Sequence, residues 1–137
     1  MKIRDVMSKD VQVARPTDTV QAVAARMASG DFGFIPVADG DRLVGTITDR
    51  DIAVRTVGAG LGPTTTVDQA MTAAVTTVLD SDPLQTALDA MSKGKIRRLP
   101  VVDKHERLVG VVSLGDLSTR VKEKYAGEAL ETISQPG

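Results

Sequence analysis

The chain has 137 residues, 42% of them hydrophobic and 26% charged, with a formal net charge of −1, the balance of an ordinary soluble globular protein. Near-neutral charge excludes a global pull toward nucleic acid or anionic membrane, and Phe32, Phe34 and Tyr125 are too few aromatics for a platform that stacks single strands. With no cysteine there is no disulfide, no thiolate metal site and no thiol catalysis.

The opening residues, MKIRDVMSKD, lack the apolar core of a signal peptide, and no later stretch is long and apolar enough to span a membrane. The expectation is a soluble, cytoplasmic protein. From there the chain is written twice. Val6-Met7-Ser8 matches Ala70-Met71-Thr72, 64 residues on, and the same register pairs Asp18 with Asp82, Val20 with Leu84, Met27 with Met91 and Gly30 with Gly94. It continues through Ile35-Pro36-Val37 and Leu99-Pro100-Val101. After one extra residue near Lys104–Arg107, Leu43-Val44-Gly45 matches Leu108-Val109-Gly110. Two copies of one unit are implied.

Each copy reads as strand, helix, strand, strand, helix, an α+β pattern of two pseudo-symmetric βαββα repeats. Asp18-x-x-Gln21 and Asp82-x-x-Gln85 resemble capping boxes, and Pro83 suits a first helical turn. Helical apolar spacing follows at Val20, Val23, Ala24 and Met27, and at Leu84, Ala87, Leu88 and Met91; Gly30 and Gly94 stand where a left-handed helix stop is expected. The apolar runs Phe34–Ala38 and Leu43–Ile47, then Leu99–Val102 and Leu108–Val112, flank polar turns and predict hairpins. Second helices are expected at about Arg50–Val57 and Gly115–Glu123. The resulting organisation is 1–57 first repeat, 58–66 linker, 67–122 second repeat and 123–137 helical tail, with the two small sheets packing as one module because a half of this size has little core. In the tail, Val121, Tyr125, Leu130 and Ile133 form an apolar stripe suited to packing or dimerisation.

The residues with chemical potential lie at the strand–helix junctions. Thr48-x-x-Asp51 and Ser113-x-x-Asp116 each place a hydroxyl at a strand end and a carboxylate three residues later. One reading is a capping box that satisfies free amides. The other is a ribose contact, since a carboxylate accepts from both sugar hydroxyls. The second copy adds Lys93, Lys95, Arg97 and Arg98 just before its strand, a cation cluster that suits phosphate. The matching stretch Gly30-Asp31-Phe32-Gly33-Phe34 has no cation and an added acid, so a phosphate pocket there would draw on Arg50 or Arg55.

The doubled pattern of helix, Pro-Val hairpin and Gly-x-x-Thr/Ser-x-x-Asp resembles a tandem CBS domain pair, the Bateman module, in a stand-alone bacterial-type protein; the likeness covers residues 1–122. That resemblance implies facing sheets with two clefts that take adenine nucleotides (AMP, ADP or ATP, with NAD and S-adenosylmethionine as further ligands of the family) and a homodimer acting on an effector protein. For one cleft it implies Ser113 and Asp116 at the ribose, Arg97 and Arg98 at phosphate and Val111 at the base, with Val11, Gln12 and Val13 as the opposite wall and Gly33 and Phe34 nearby. In the pseudo-symmetric cleft it implies Thr48, Asp51 and Arg50, opposite Val75, Thr76 and Thr77. The Asp116 cleft ranks first.

His105, the single histidine, reads as a solvated turn residue, and no metal site is expected. No nucleophile elbow, P-loop or nucleophile–base pair occurs, so no enzyme is expected. The functional expectation is a regulatory nucleotide-binding module; the competing one is a ligand-independent dimeric scaffold in which the hydroxyl–carboxylate elements only cap helices.

Overall fold

The computed structural model describes residues 1–134, and for 124, 125 and 128–134 the backbone only. The tail positions Tyr125, Leu130 and Ile133 therefore carry side chains outside the described residues, while Val121 is half-buried. In chain order the elements are a 3-10 turn Ile3–Asp5, α1 Val20–Gly30, β1 Phe34–Asp39, β2 Arg42–Thr48, α2 Asp49–Ile52 continuing as a π turn Ala53–Val57, α3 Val67–Ala70, β3 Val78–Leu79, α4 Leu84–Gly94, β4 Arg98–Val102, β5 Leu108–Ser113 and α5 Leu114–Ser134. The last helix runs through Gly127 without a break.

These elements form two compact units. One holds Asp10–Thr76 with Lys104–Leu108, the other Met1–Lys9, Thr77–Asp103 and Val109–Gly137. The units thus differ from the sequence repeats at their starts, because each repeat's opening segment is built into the unit of the other repeat. Backbone hydrogen bonds show how. Ile3 N–H donates to Asp82 O at 2.9 Å and Ser8 exchanges bonds with Val111 at 2.9 and 3.0 Å; 64 residues on, Val67 N–H donates to Asp18 O at 2.8 Å and Thr72 exchanges bonds with Thr46 at 2.8 and 2.9 Å.

The cores follow the same register. Ala14, Val23, Met27, Ile35, Val37, Ile47, Val67 and Ala70 form one, together with Val20. Val78, Ala87, Met91, Leu99, Val101, Val112, Ile3 and Val6 form the other, with Leu117. Each first-copy position has its second-copy counterpart at the sequence offset, so the apolar face that the repeat predicts for both helices is the face that is buried. Burying a side chain of the Val, Ile or Leu class contributes about 1.5–3 kcal/mol. Ile3 and Val6, on a short turn with no helix face of its own, gain that only inside the other repeat's core.

Strand β1 pairs antiparallel with β2 from Phe34↔Thr48 to Asp39↔Arg42, with a bulge at Val37/Ala38. The two-residue loop places Gly40 at φ +64, the first central position of a type II′ turn, where glycine is favoured. The expected first strand of each copy is much reduced. It is the parallel bridge Ala14↔Val37 in one unit and the parallel pair Val78↔Val101, Leu79↔Val102 in the other.

Helix ends depart from expectation by a residue or two. The carboxylates of Asp18 and Asp82 do not cap; they reach back to accept from Arg15 N–H and Leu79 N–H, both at 2.9 Å. Thr19 caps α1 instead, accepting from Ala22 N–H, and α4 begins after Pro83 with no side-chain cap. At the far ends the left-handed residues are Asp31 (φ 54) and Lys95 (φ 53), one position beyond Gly30 and Gly94. Gly30 serves a different need: a Cβ there would lie 2.3 Å from the Phe32 ring.

Two further glycines have to be glycine for the exchanged segments to dock. A Cβ at Gly45 would lie 2.7 Å from Thr72 O and 2.8 Å from Met71 Sδ; at Gly110 it would lie 2.7 Å from both Ser8 O and Met7 Sδ. The repeated Met-Ser/Thr of the sequence is thus the partner of the repeated Val-Gly. Two arginines complete the seam. Arg55 donates to Met71 O at 2.7 Å and Ala70 O at 3.3 Å, and its counterpart Arg120 donates to Asp5 O at 3.1 Å.

Gly45→Ala and Gly110→Ala are each expected to cost about 1–3 kcal/mol, the range for overpacking a tight site. Gly62→Ala, where a Cβ meets nothing within 4 Å, is the neutral comparison; urea denaturation midpoints measure all three. Arg55→Ala and Arg120→Ala should each cost about 1 kcal/mol, below the usual 1.5–3 for a charged hydrogen bond because both sites are exposed, and equal midpoints for variant and wild type would refute the seam's contribution.

Candidate functional site

The second copy's junction is shaped by three backbone facts. Strand β5 ends at Ser113 and α5 starts at Leu114 with no intervening loop. Leu114 N–H donates across to Arg97 O at 2.8 Å, which draws the residues before β4 against the helix start. Ser113 Oγ accepts from Asp116 N–H at 3.0 Å, satisfying one of the helix's free amides. The result is a concavity of about 510 Å³ lined by Arg97, Arg98, Ser113, Leu114, Gly115 and Ser118. Both arginines are exposed, Ser113 and Asp116 half-buried. Val111 is half-buried and lies two residues before Ser113, on the same strand face.

This unit therefore brings together Arg97, Arg98 and Ser113, with Asp116 one helical turn from the hydroxyl. Leu114, Gly115 and Ser118 join the lining. Their only signal in sequence is position: they lie in the first two turns of the helix that the hydroxyl–carboxylate spacing announces.

The remaining expected residues, Thr77 excepted, lie in the other unit. Val11 and Val13 are half-buried and Gln12 exposed. They form no regular strand, and two of their acceptors are engaged: the Arg26 guanidinium donates to Gln12 Oε1 at 3.1 and 3.2 Å and to Val13 O at 3.1 Å. Arg26 was not singled out in the sequence because its counterpart is Ala90, so the repeat gives it no echo. Phe34 opens β1 opposite Thr48.

Thr48 and Asp51 form a complete reciprocal cap. Thr48 Oγ1 accepts from Asp51 N–H and Asp51 Oδ2 accepts from Thr48 N–H, each at 3.0 Å. The other Asp51 oxygen stands 4.0 Å from Arg55 Nε, with the Asp51 side chain only 16% exposed. Arg55, considered for phosphate, is instead held on the carbonyls of Ala70 and Met71. Arg50 is exposed. Val75 is half-buried and Thr76 exposed at the end of this unit, while Thr77, also exposed, begins the other.

A further concavity, of about 200 Å³, sits near the β1–β2 turn, between Val13, Arg15, Ala38, Gly40, Asp41 and Leu108. Among the described residues no three potential metal ligands of the His, Cys, Asp or Glu type cluster, and no helix is long and apolar enough to cross a membrane.

Known proteins share this arrangement. The CBS domain family pattern matches residues 3–57 and again 65–123. The CBS domain-containing protein YhcV of Bacillus subtilis is 38% identical over 133 residues, 96% of this chain and 94% of that protein. Hypoxic response protein 1 of Mycobacterium tuberculosis is 33% identical over 135 residues, 97% of this chain and 94% of that one. A crystal structure of Hypoxic Response Protein I with two coordinated zinc ions matches at TM-score 0.80 and 34% identity, covering 88% of this chain and 98% of that one. The CBS domain pair of protein MJ0100, in complex with 5′-methylthioadenosine and S-adenosyl-L-methionine, matches at TM-score 0.77 and 30% identity over 90% of this chain and 98% of that one. A family pattern met twice, cores that repeat in register and relatives of full length together place this chain in the CBS domain family, as a tandem CBS pair.

Proposed function

We propose that this chain is a regulatory, non-enzymatic module that binds an adenine nucleotide of the AMP, ADP or ATP type and passes that event to a partner protein. The observation that carries the reading is the pocket in which Arg97 and Arg98 meet Ser113 and the start of α5. Two guanidinium groups suit a phosphate. Ser113 Oγ accepts from the Asp116 amide, which leaves its O–H to donate, while the Asp116 carboxylate is an acceptor for ribose hydroxyls. Val111 supplies an apolar surface for the base. The adenosyl ligands held by MJ0100 support an adenosine-shaped site, though neither carries a phosphate, and the arginine pair is what directs this chain toward nucleotides. The first copy's Thr48, Asp51 and Arg50 form the weaker counterpart.

The partner side of the reading has its own support. Val54 and Val57 on the π turn are 57% and 75% exposed, whereas neighbouring Ile52 packs on the core. Adjacent exposed valines suit a protein contact, in a homodimer or with an effector. A ligand alters that contact only by binding one conformation better than another.

Titration calorimetry on nucleotide-free protein is expected to show AMP and ATP binding. Arg98→Ala should weaken both by about 10- to 100-fold, the equivalent of one charged hydrogen bond, and leave 5′-methylthioadenosine nearly unchanged. Asp116→Ala should weaken all three. No heat with any adenine compound would reject the nucleotide and favour the ligand-independent scaffold. For the contact surface, Val57→Asp should lower the sedimentation-derived association state or release a co-purifying partner; a species unchanged from wild type would exclude this patch.

A further inference from the structure

The two junctions share one backbone and differ in the side chains it carries. Asp49 N–H donates to Gly33 O at 3.1 Å as Leu114 N–H donates to Arg97 O at 2.8 Å. The hydroxyl caps agree as well, at 3.0 Å in both copies. On this common frame the second copy carries Arg97, Arg98 and Leu114, and the first carries Gly33, Phe34 and Asp49. Where one copy has two cations on the strand side and a leucine at the helix start, the other has no cation on the strand side and a carboxylate at the helix start, followed by the exposed Arg50 at the position of Gly115.

The carboxylate is also placed where the missing arginine would begin. A Cβ at Gly33 would lie 2.8 Å from Asp49 Oδ2 and 3.0 Å from Oδ1. Gly33 therefore does more than lack a side chain; its bareness makes room for the Asp49 carboxylate over the backbone. Asp49 Oδ1 accepts from the Arg50 backbone N–H at 2.9 Å, which holds the side chain at the junction. Arg55 is held on the carbonyls of Ala70 and Met71 and stands beside Asp51.

From this geometry we infer that Asp49 is a specificity-determining residue that bars phosphate from the first copy's junction, leaving one phosphate-nucleotide site per chain. The inference rests on the reading of Arg97, Arg98, Ser113 and Asp116 as the nucleotide site. A phosphate at the first junction would face a carboxylate within a few ångströms, a like-charge contact that bulk solvent only partly screens.

Equilibrium dialysis with ATP separates the two claims. Wild type is expected to bind one ATP per chain, and Arg97→Ala/Arg98→Ala to bind it at least about 100-fold more weakly. In that double-variant background, Asp49→Asn should recover ATP binding by about tenfold over the background, the scale of removing one nearby unit charge. Adding Gly33→Arg and Phe34→Arg with Asp49→Leu should recover more, with circular dichroism reporting that the variants fold. Two ATP per wild-type chain, one surviving in Arg97→Ala/Arg98→Ala, would overturn the inference while leaving the nucleotide reading intact; so would an Asp49→Asn variant that folds and gains nothing. No ATP bound by wild type would remove the nucleotide reading, and the inference with it.

Discussion

Everything in this molecule hangs on the seating of a Met-Ser/Thr segment against a glycine in the strand of the other repeat. At Gly45 and at Gly110 the approach is too close for any Cβ, and the gap is filled by a backbone carbonyl and a methionine sulfur. The paired hydrogen bonds of Ser8 with Val111 and of Thr72 with Thr46 add a backbone ladder beside β5 and β2. Without that edge each short sheet would expose unpaired amides, and each core would lack the apolar residues of the segment: Ile3 and Val6 in one, Val67 and Ala70 in the other. The exchange also makes the repeats interdependent, because neither sequence copy contains its own complete core.

The same seating fixes the functional end of the unit. Val111 and Thr46 are bonded to the incoming segment, and two residues later the chain reaches Ser113 or Thr48 and turns into a helix. The position of the hydroxyl, the first helical amides and the carboxylate is thus inherited from core packing. Arg120 and Arg55 tie the helix side to the same segment. Once the frame is built twice by identical means, chemistry can diverge at positions that the frame does not use, and residues 33, 34 and 49 against 97, 98 and 114 are such positions.

Much of this was legible in the sequence because it was written twice. Registered pairs such as Met27 and Met91, or Val37 and Val101, told core from surface, and the structure buries both members. Features without an echo were harder to see. Arg26, which occupies Gln12 and the Val13 carbonyl, faces Ala90 in the register. The exchange of opening segments was invisible for the opposite reason: a symmetric swap leaves every intra-copy pattern unchanged, so Ile3 and Val67 look alike whichever core they enter. Helix ends slipped by a residue because Asp18 and Asp82 had an equally good use for their carboxylates upstream, a choice that local spacing does not decide.

Capping and ligand contact, which read as rival roles for Ser113, are compatible at the level of the hydroxyl group. A cap uses the oxygen as acceptor, and Ser113 Oγ accepts from Asp116 N–H; the hydroxyl proton is not consumed by that bond. The cap in fact assists, since it fixes the rotor and aims the donor. The first copy's carboxylate is committed as well. Asp51 closes the reciprocal box on Thr48 N–H and lies beside Arg55, so recruiting it to a ribose competes with two existing interactions. Releasing that carboxylate carries a penalty that would act on any adenosyl ligand, charged or neutral. On the proposed nucleotide reading the first copy is disfavoured twice: Asp49 opposes the phosphate, and the closed Thr48–Asp51 box resists the sugar.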